Sequence, residues 1–181
     1  MKWDLGFCRK NYLHKVKAYD VIIVGGGLAG LSAALRLSVE MDSILVLEKN
    51  RYPNHKVCGE YVSNEVLPYL EQLGISFSEQ EMVSIDTLEL SLGNGKAVRS
   101  PLPLGGFGIS RYVLDERLYR EALQRNVDFA FETATDIVFH DDTFSVDTKT
   151  GGAYQAKALI GAYGKRSFLD KKLQRLSLIH I

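Results

Sequence analysis

Apolar and polar positions along the chain follow two rhythms that change over near residue 85. In the first part, an aliphatic run from Asp20 to Val24 leads into Leu28, Leu31 and Leu35 at helical spacing through about Glu40, and a second aliphatic run, "ILVLE", follows at 44–48. Short continuous apolar runs read as buried strands, and the order strand, helix, strand predicts a parallel pair joined by a right-handed crossover. That is the start of a doubly wound sheet. From Asn50 to Tyr61 the pattern dissolves into a polar, aromatic and basic loop, "NRYPNHKVCGEY". A short helix is expected next, kinked or restarted at Pro68, with Leu67, Leu70 and Leu73 on one face and Gly74 as its stop.

The second rhythm has a period of two. Leu88, Leu90 and Leu92 alternate with Thr87, Glu89 and Ser91, and "GNGK" at 93–96 is hairpin chemistry, because Asn-Gly tolerates positive φ. A one-faced antiparallel sheet is implied. Helical spacing returns at Leu114, Leu118 and Ala122, with Asp115 and Glu116 read into the early turns, where acids favour the positive end of the helix dipole. Strand-like runs follow near 127–131, 134–140 and 143–149, and Gly151-Gly152 turns the last into "AYQAKALIGA". The fold class is α/β: a nucleotide-binding layer with a parallel sheet, interrupted by an antiparallel insertion.

Composition narrows the partners. The 181 residues carry 22 basic and 22 acidic side chains, so no charge imbalance points to nucleic acid or to a strongly anionic membrane surface. A small-molecule ligand is the better expectation, and the composition leaves the oligomeric state open. Cys8 and Cys58 lie fifty residues apart without metal-ligand spacing, and the histidines are scattered singly, so a reducing compartment and no metal are expected. Lys2, Arg9, Lys10, Lys15 and Lys17 against Asp4 make residues 1–19 a basic, solvated leader. Neither a signal-peptide core nor a run of roughly 18–20 apolar residues is present, which leads to an expectation of a cytoplasmic protein.

Gly25, Gly27 and Gly30 fit G-x-G-x-x-G between the first strand and its helix. The first glycine allows the tight turn, the second lets backbone approach a pyrophosphate, and the third lets helix pack on strand. Phosphates then rest on free N–H groups at the helix start, around Leu28 and Ala29. Glu48, eighteen residues past Gly30 and ending the second strand, is placed to accept hydrogen bonds from a ribose, with Lys49 beside it. A Rossmann-like FAD/NAD(P)-binding domain is the result.

Which dinucleotide it takes is decided by the rest of the chain. The stretches "DVIIVGGGLAGLSAALRLS", "KVCGE", "ISRYVLDERLYREAL" and "LIGAYGKRS" occur over residues 20–168 in an order that resembles the FAD-dependent oxidoreductases of the glutathione-reductase superfamily, in the branch of geranylgeranyl reductases and para-hydroxybenzoate-hydroxylase-type monooxygenases. The resemblance implies that Gly25, Gly27, Gly30 and Glu48 hold the ADP part of FAD. It places Lys56, Cys58 and Gly59 in a loop running beside the cofactor, and gives Arg111 the role of an arginine that reaches it. The alternatives are a solvated Arg111 at a helix start and a Cys58 packed as a small hydrophobe.

The implied activity is an oxidoreductase with NAD(P)H as electron donor and a small hydrophobic organic substrate, through which a peripheral membrane contact would arise. Reduction of isoprenoid-like carbon–carbon double bonds is the first reading. Oxygen-dependent hydroxylation is the second, and a nucleotide-binding half-domain without activity of its own the third. No catalytic residue is assigned. One departure from the family stands out: Gly161-Ala162-Tyr163-Gly164 occurs where the family has Gly-Ala-Asp-Gly, while Arg166 and Ser167 fit the family's next positions.

The resemblance also divides the chain. Residues 20–84 and 109–168 read as two parts of the FAD-binding domain, the second with a β-meander at 134–155, and 85–108 as the start of a substrate-domain sheet. Residues 169–181 read as a truncated tail of a fragment. The last six, "LSLIHI", match the translation of a transposon-based sequencing adaptor and are expected to be an artefact; the alternative is a short apolar tail.

Overall fold

The structure is a computed structural model and describes residues 16–164 and 167–173. The leader at 1–15 with Cys8, the pair 165–166 that includes Arg166, and the tail from 174 onward, including the suspected artefact at 176–181, lie outside the described residues.

The first strand, β1 (Lys17–Val24), is parallel to β2 (Ile44–Leu47), and α1 (Leu28–Leu37) crosses between them. Both strands are apolar at consecutive positions because both of their faces are covered. Val21, Ile23, Ile44 and Val46 point to one side, against Leu31, Ala34 and Leu35 of α1; Ile22, Val24, Leu45 and Leu47 point to the other, against Ala134, Val146, Ala156 and Leu169. The helix ends three residues before the expected Glu40. Ser38 lies in its cap, where the hydroxyl donates to Leu35 O at 2.8 Å, a local bond that competes with helix continuation.

The chain then makes β3 (Tyr61–Ser63), a 3-10 turn at Asn64–Val66 and α2 (Leu67–Gln72), with Pro68 in the first turn, where a missing N–H costs nothing. Gly74 follows at φ +73 and ends the segment as expected. Leu70 and Leu73 are buried, and Leu67 packs on the same core. A hairpin of β4 (Val83–Ser91) and β5 (Ala97–Gly108) pairs antiparallel, and β3 adds to its other edge in the order β3-β5-β4. The turn uses Gly95 at φ +82.

Helix α3 (Arg111–Gln124) returns the chain to the first layer. It is capped by the Ser110 hydroxyl, which accepts from Tyr112 N–H at 3.2 Å. Here the sequence reading needs correction. The first turn holds no acid, and Asp115 is wholly buried rather than turned to the helix dipole. Four strands complete the main sheet: β6 (Asp128–Ala130), β7 (Ala134–His140), β8 (Thr143–Thr148) and β9 (Ala153–Gly161). Their order is β6-β2-β1-β9-β8-β7. The meander therefore runs to Gly161, past the expected 155, and its last strand lies parallel beside β1. A short α4 (Leu169–Lys172) closes the described chain.

Candidate functional site

The glycine loop sits where β1 ends and α1 begins, at the carboxyl ends of the parallel strands. Gly25 adopts φ +109, a region that side chains disfavour, and a Cβ there would collide with the Ala162 carbonyl of the strand beside it. At Gly30 a Cβ would strike the Gly25 carbonyl, so the third glycine sets how closely helix and strand approach. Gly27 is different: a Cβ there would meet nothing within 4 Å. Its absence opens the loop outward, as close approach by a ligand requires. The first helical bond runs from Leu31 N–H to Gly27 O at 2.9 Å, and Gly27 as N-cap offers no side chain to the donors of the first turn. Those donors, around Leu28 and Ala29, are what an anion would use.

Glu48 directly follows β2, with only 8% of its surface exposed. One carboxylate oxygen accepts from Gly26 N–H at 2.8 Å and the other from Asn50 N–H at 3.0 Å. Each oxygen keeps lone-pair capacity towards the cleft that Glu48 helps to line. That cleft, about 190 Å³, also borders Gly25, Lys49, Glu132, Thr133, Tyr163 and Phe168. Ser167 lies on its wall as well. The phenol of Tyr163 donates to Asp170 Oδ1 at 3.2 Å.

Facing the carbonyl of Gly26 is the loop between β2 and β3. The Tyr52 hydroxyl bonds to Gly26 O, and its ring stacks on Tyr119 at 4.4 Å between centroids, with Phe129 and Phe131 edge-on. Burial raises the Tyr52 pKa far above the ordinary phenol value, and the negative charges of Glu48 and Asp115 push the same way, so this hydroxyl remains a donor. Lys56 reaches Gly26 O at 3.4 Å and Asp115 Oδ2 at 2.7 Å. Arg111 grips the same carboxylate through Nε at 2.8 Å and Nη2 at 3.0 Å. Burial works against the Arg111 charge, but the hydrogen bonds and negative charge of Asp115, together with Cys58, outweigh it and hold the pKa above its usual value.

Every cofactor residue read from the sequence lies in the described structure, and most gather around this loop. Arg111 is not a solvated helix-start residue; its side chain is 16% exposed and paired. Cys58 is exposed, which removes the packed-hydrophobe reading, and its sulfur accepts from Glu60 N–H at 3.4 Å. Gly59 is exposed, and a Cβ there would meet nothing within 4 Å. Three residues were missed. Asp115 was detectable, since it stands four residues after Arg111 on one helix. Tyr52 and Glu132 had no local signal, because their partners are Gly26, Thr148 and Tyr154. Among the described residues no cluster suited to a metal ion occurs, and no helix is long and apolar enough to cross a membrane.

A parallel strand–helix–strand unit, a glycine loop open at its second glycine and an acid directly after the second strand define a Rossmann-type dinucleotide-binding domain. The chain belongs to the pyridine nucleotide-disulphide oxidoreductase family, whose sequence profile matches residues 19–171. It is 29% identical over 163 residues to menaquinone reductase of Mycobacterium tuberculosis, covering 86% of this chain and 40% of that protein. It is 28% identical over 165 residues to digeranylgeranylglycerophospholipid reductase of Sulfolobus acidocaldarius, covering 84% of this chain and 36% of the relative. Among solved structures, the halogenase PltM in complex with phloroglucinol and FAD superposes with a TM-score of 0.70 at 20% identity, over 86% of this chain and 36% of the halogenase, which shows a shared fold. The chain thus spans about 40% or less of the length of these relatives.

Proposed function

We propose that the chain carries the adenosine and pyrophosphate part of an FAD site in an oxidoreductase that takes electrons from NAD(P)H. The substrate is a hydrophobic, isoprenoid-like molecule whose carbon–carbon double bond is reduced. The single observation that carries this reading is the Glu48–Gly26 pair beside the cleft: an acid directly after β2 anchors a glycine loop whose second glycine faces open space. Two of the relatives, named as a menaquinone reductase and a digeranylgeranylglycerophospholipid reductase, are in keeping with the reductive reading.

The residues present fit the cofactor. Glu48 would accept from ribose hydroxyls, and its negative charge would repel a 2′-phosphate. The α1 donors beside Gly27 would take the pyrophosphate, assisted by the helix dipole. Lys56 and Arg111 would add positive charge next to it. When bound, FAD supplies the ring that accepts and passes on a hydride. The chain's own part is to bind, orient and shield. A cytoplasmic protein that meets a membrane only through its apolar substrate follows from the same reading.

The test is a spectrum and a turnover assay. Purified chain is expected to turn yellow with FAD, and a longer polypeptide containing it to oxidise NADPH in the presence of a polyprenyl substrate without oxygen. Product that forms only with oxygen would replace reduction by hydroxylation. A colourless protein that takes up no FAD would leave only a nucleotide-binding half-domain.

A further inference from the structure

Lys56 and Arg111, from a loop and a helix far apart in sequence, meet on one carboxylate. Asp115 is wholly buried, and its two oxygens take three charge-assisted hydrogen bonds, two from Arg111 and one from Lys56. The lysine goes on to Gly26 O at 3.4 Å, the same oxygen that Tyr52 bonds. A continuous polar path therefore runs from α3, through Asp115 and Lys56, to the glycine loop. The three side chains hold two positive charges against one negative, leaving one positive in excess beside the start of α1. An ionised carboxylate without solvent is strongly disfavoured unless it is paired, so Asp115 holds its two cations firmly. Both side chains are long and flexible, and without that anchor each would sample many rotamers.

We infer that Asp115 is a positioning residue for the anionic part of FAD: it fixes Lys56 and Arg111 so that their surplus positive charge adjoins the glycine loop before any ligand arrives. The inference rests on the FAD reading above. Charge and position make opposite forecasts for loss of this acid. If net charge alone governed binding, Asp115→Asn would raise the local charge by one positive unit and tighten the grip on a pyrophosphate. If Asp115 acts by holding the two cations in place, the same variant releases them and binding weakens, because ordering them falls to the ligand.

The decisive experiment titrates the wild-type chain and Asp115→Asn with FAD, followed by flavin fluorescence, and with ADP and adenosine, followed by calorimetry. Affinity for FAD and ADP is expected to fall about tenfold in the variant, while adenosine, which lacks the phosphates, binds as in the wild type. An equal loss for adenosine would make Asp115 merely structural, and an unchanged or tighter grip on FAD would make its charge, not its anchoring, the governing term; either overturns the inference. Should Asp115→Asn fail to fold, Asp115→Glu keeps the charge that pairs with both cations but displaces the carboxylate that holds them, so net charge alone forecasts no change. This second variant is expected to weaken FAD and ADP and to spare adenosine, and unchanged binding of all three overturns the inference. Wild-type chain that binds none of the ligands sinks the FAD reading and this inference with it, whereas wild type that binds FAD no better than its variants sinks the inference alone.

Discussion

The β1–α1–β2 unit and the β4–β5 hairpin are both built from leucine, isoleucine and valine at regular spacing, yet they stand at opposite ends of the burial scale. Ile22, Ile23, Leu31 and Val46 are at 0% exposure, while Leu90 and Val98, paired across the hairpin, are at 65% and 69%. In the first region strands are covered on both faces, and the glycine loop is wedged between a helix and a neighbouring strand. In the second, pairing is satisfied by backbone hydrogen bonds while the apolar face remains open among the described residues. Periodicity reports which side chains share a face. It does not report whether anything covers that face. The difference also explains where a site can form, because fixing a loop to within hydrogen-bond distance of a ligand needs rigid neighbours on several sides.

The sharpest way to test the contrast is to truncate one side chain in each region. Leu31→Ala is expected to cost about 2–5 kcal/mol, as deletions in a closed core do, and urea denaturation of wild type and variant would read it. The site comes next. Glu48→Ala should lower FAD affinity by roughly ten- to a hundredfold, since hydrogen bonds to a charged acceptor are worth about 1.5–3 kcal/mol, and Glu48→Gln less. Fluorescence titration checks both, and an unchanged alanine variant would place the adenosine elsewhere.

Within the loop, two alanines separate packing from ligand space. Gly30→Ala should destabilise the fold by about 1–3 kcal/mol through overpacking against Gly25. Gly27→Ala should leave the melting temperature unchanged but weaken FAD, because its added methyl group meets only the ligand's space. Paired thermal melts and titrations would show whether the two effects part as stated.

A smaller effect concerns Glu132 at the cleft. The hydrogen bond from the Thr148 hydroxyl holds its pKa below the ordinary glutamate value, burial opposes this, and bonds with Thr150 and Tyr154 assist. A depressed folded-state pKa adds stability that is present above the unfolded glutamate pKa and lost as pH falls through the folded value. Acid titration of the urea midpoint should therefore show a shallower loss in Glu132→Gln than in wild type. Smallest of all, Leu90→Ser should change stability by no more than about 0.5 kcal/mol, as for other exposed positions. A larger loss would mean that the hairpin face is covered in solution.

By itself the sequence determined the parallel unit, the hairpin turn and the glycine loop, because each is written in local terms: strand runs, helical spacing, Asn-Gly, and three glycines at fixed intervals. Glu48 was legible for the same reason, as the acid that closes the apolar run of the second strand, and it stands one residue past that strand's end. Tertiary structure alone decided that Tyr52 and Lys56 both reach Gly26 O, that Asp115 joins Lys56 to Arg111, and that β9 comes back parallel beside β1. It also decided that Leu88, Leu90 and Leu92 remain exposed among the described residues. These are matters of which distant segments meet, and a pattern of side chains along one segment carries no record of its neighbours across space.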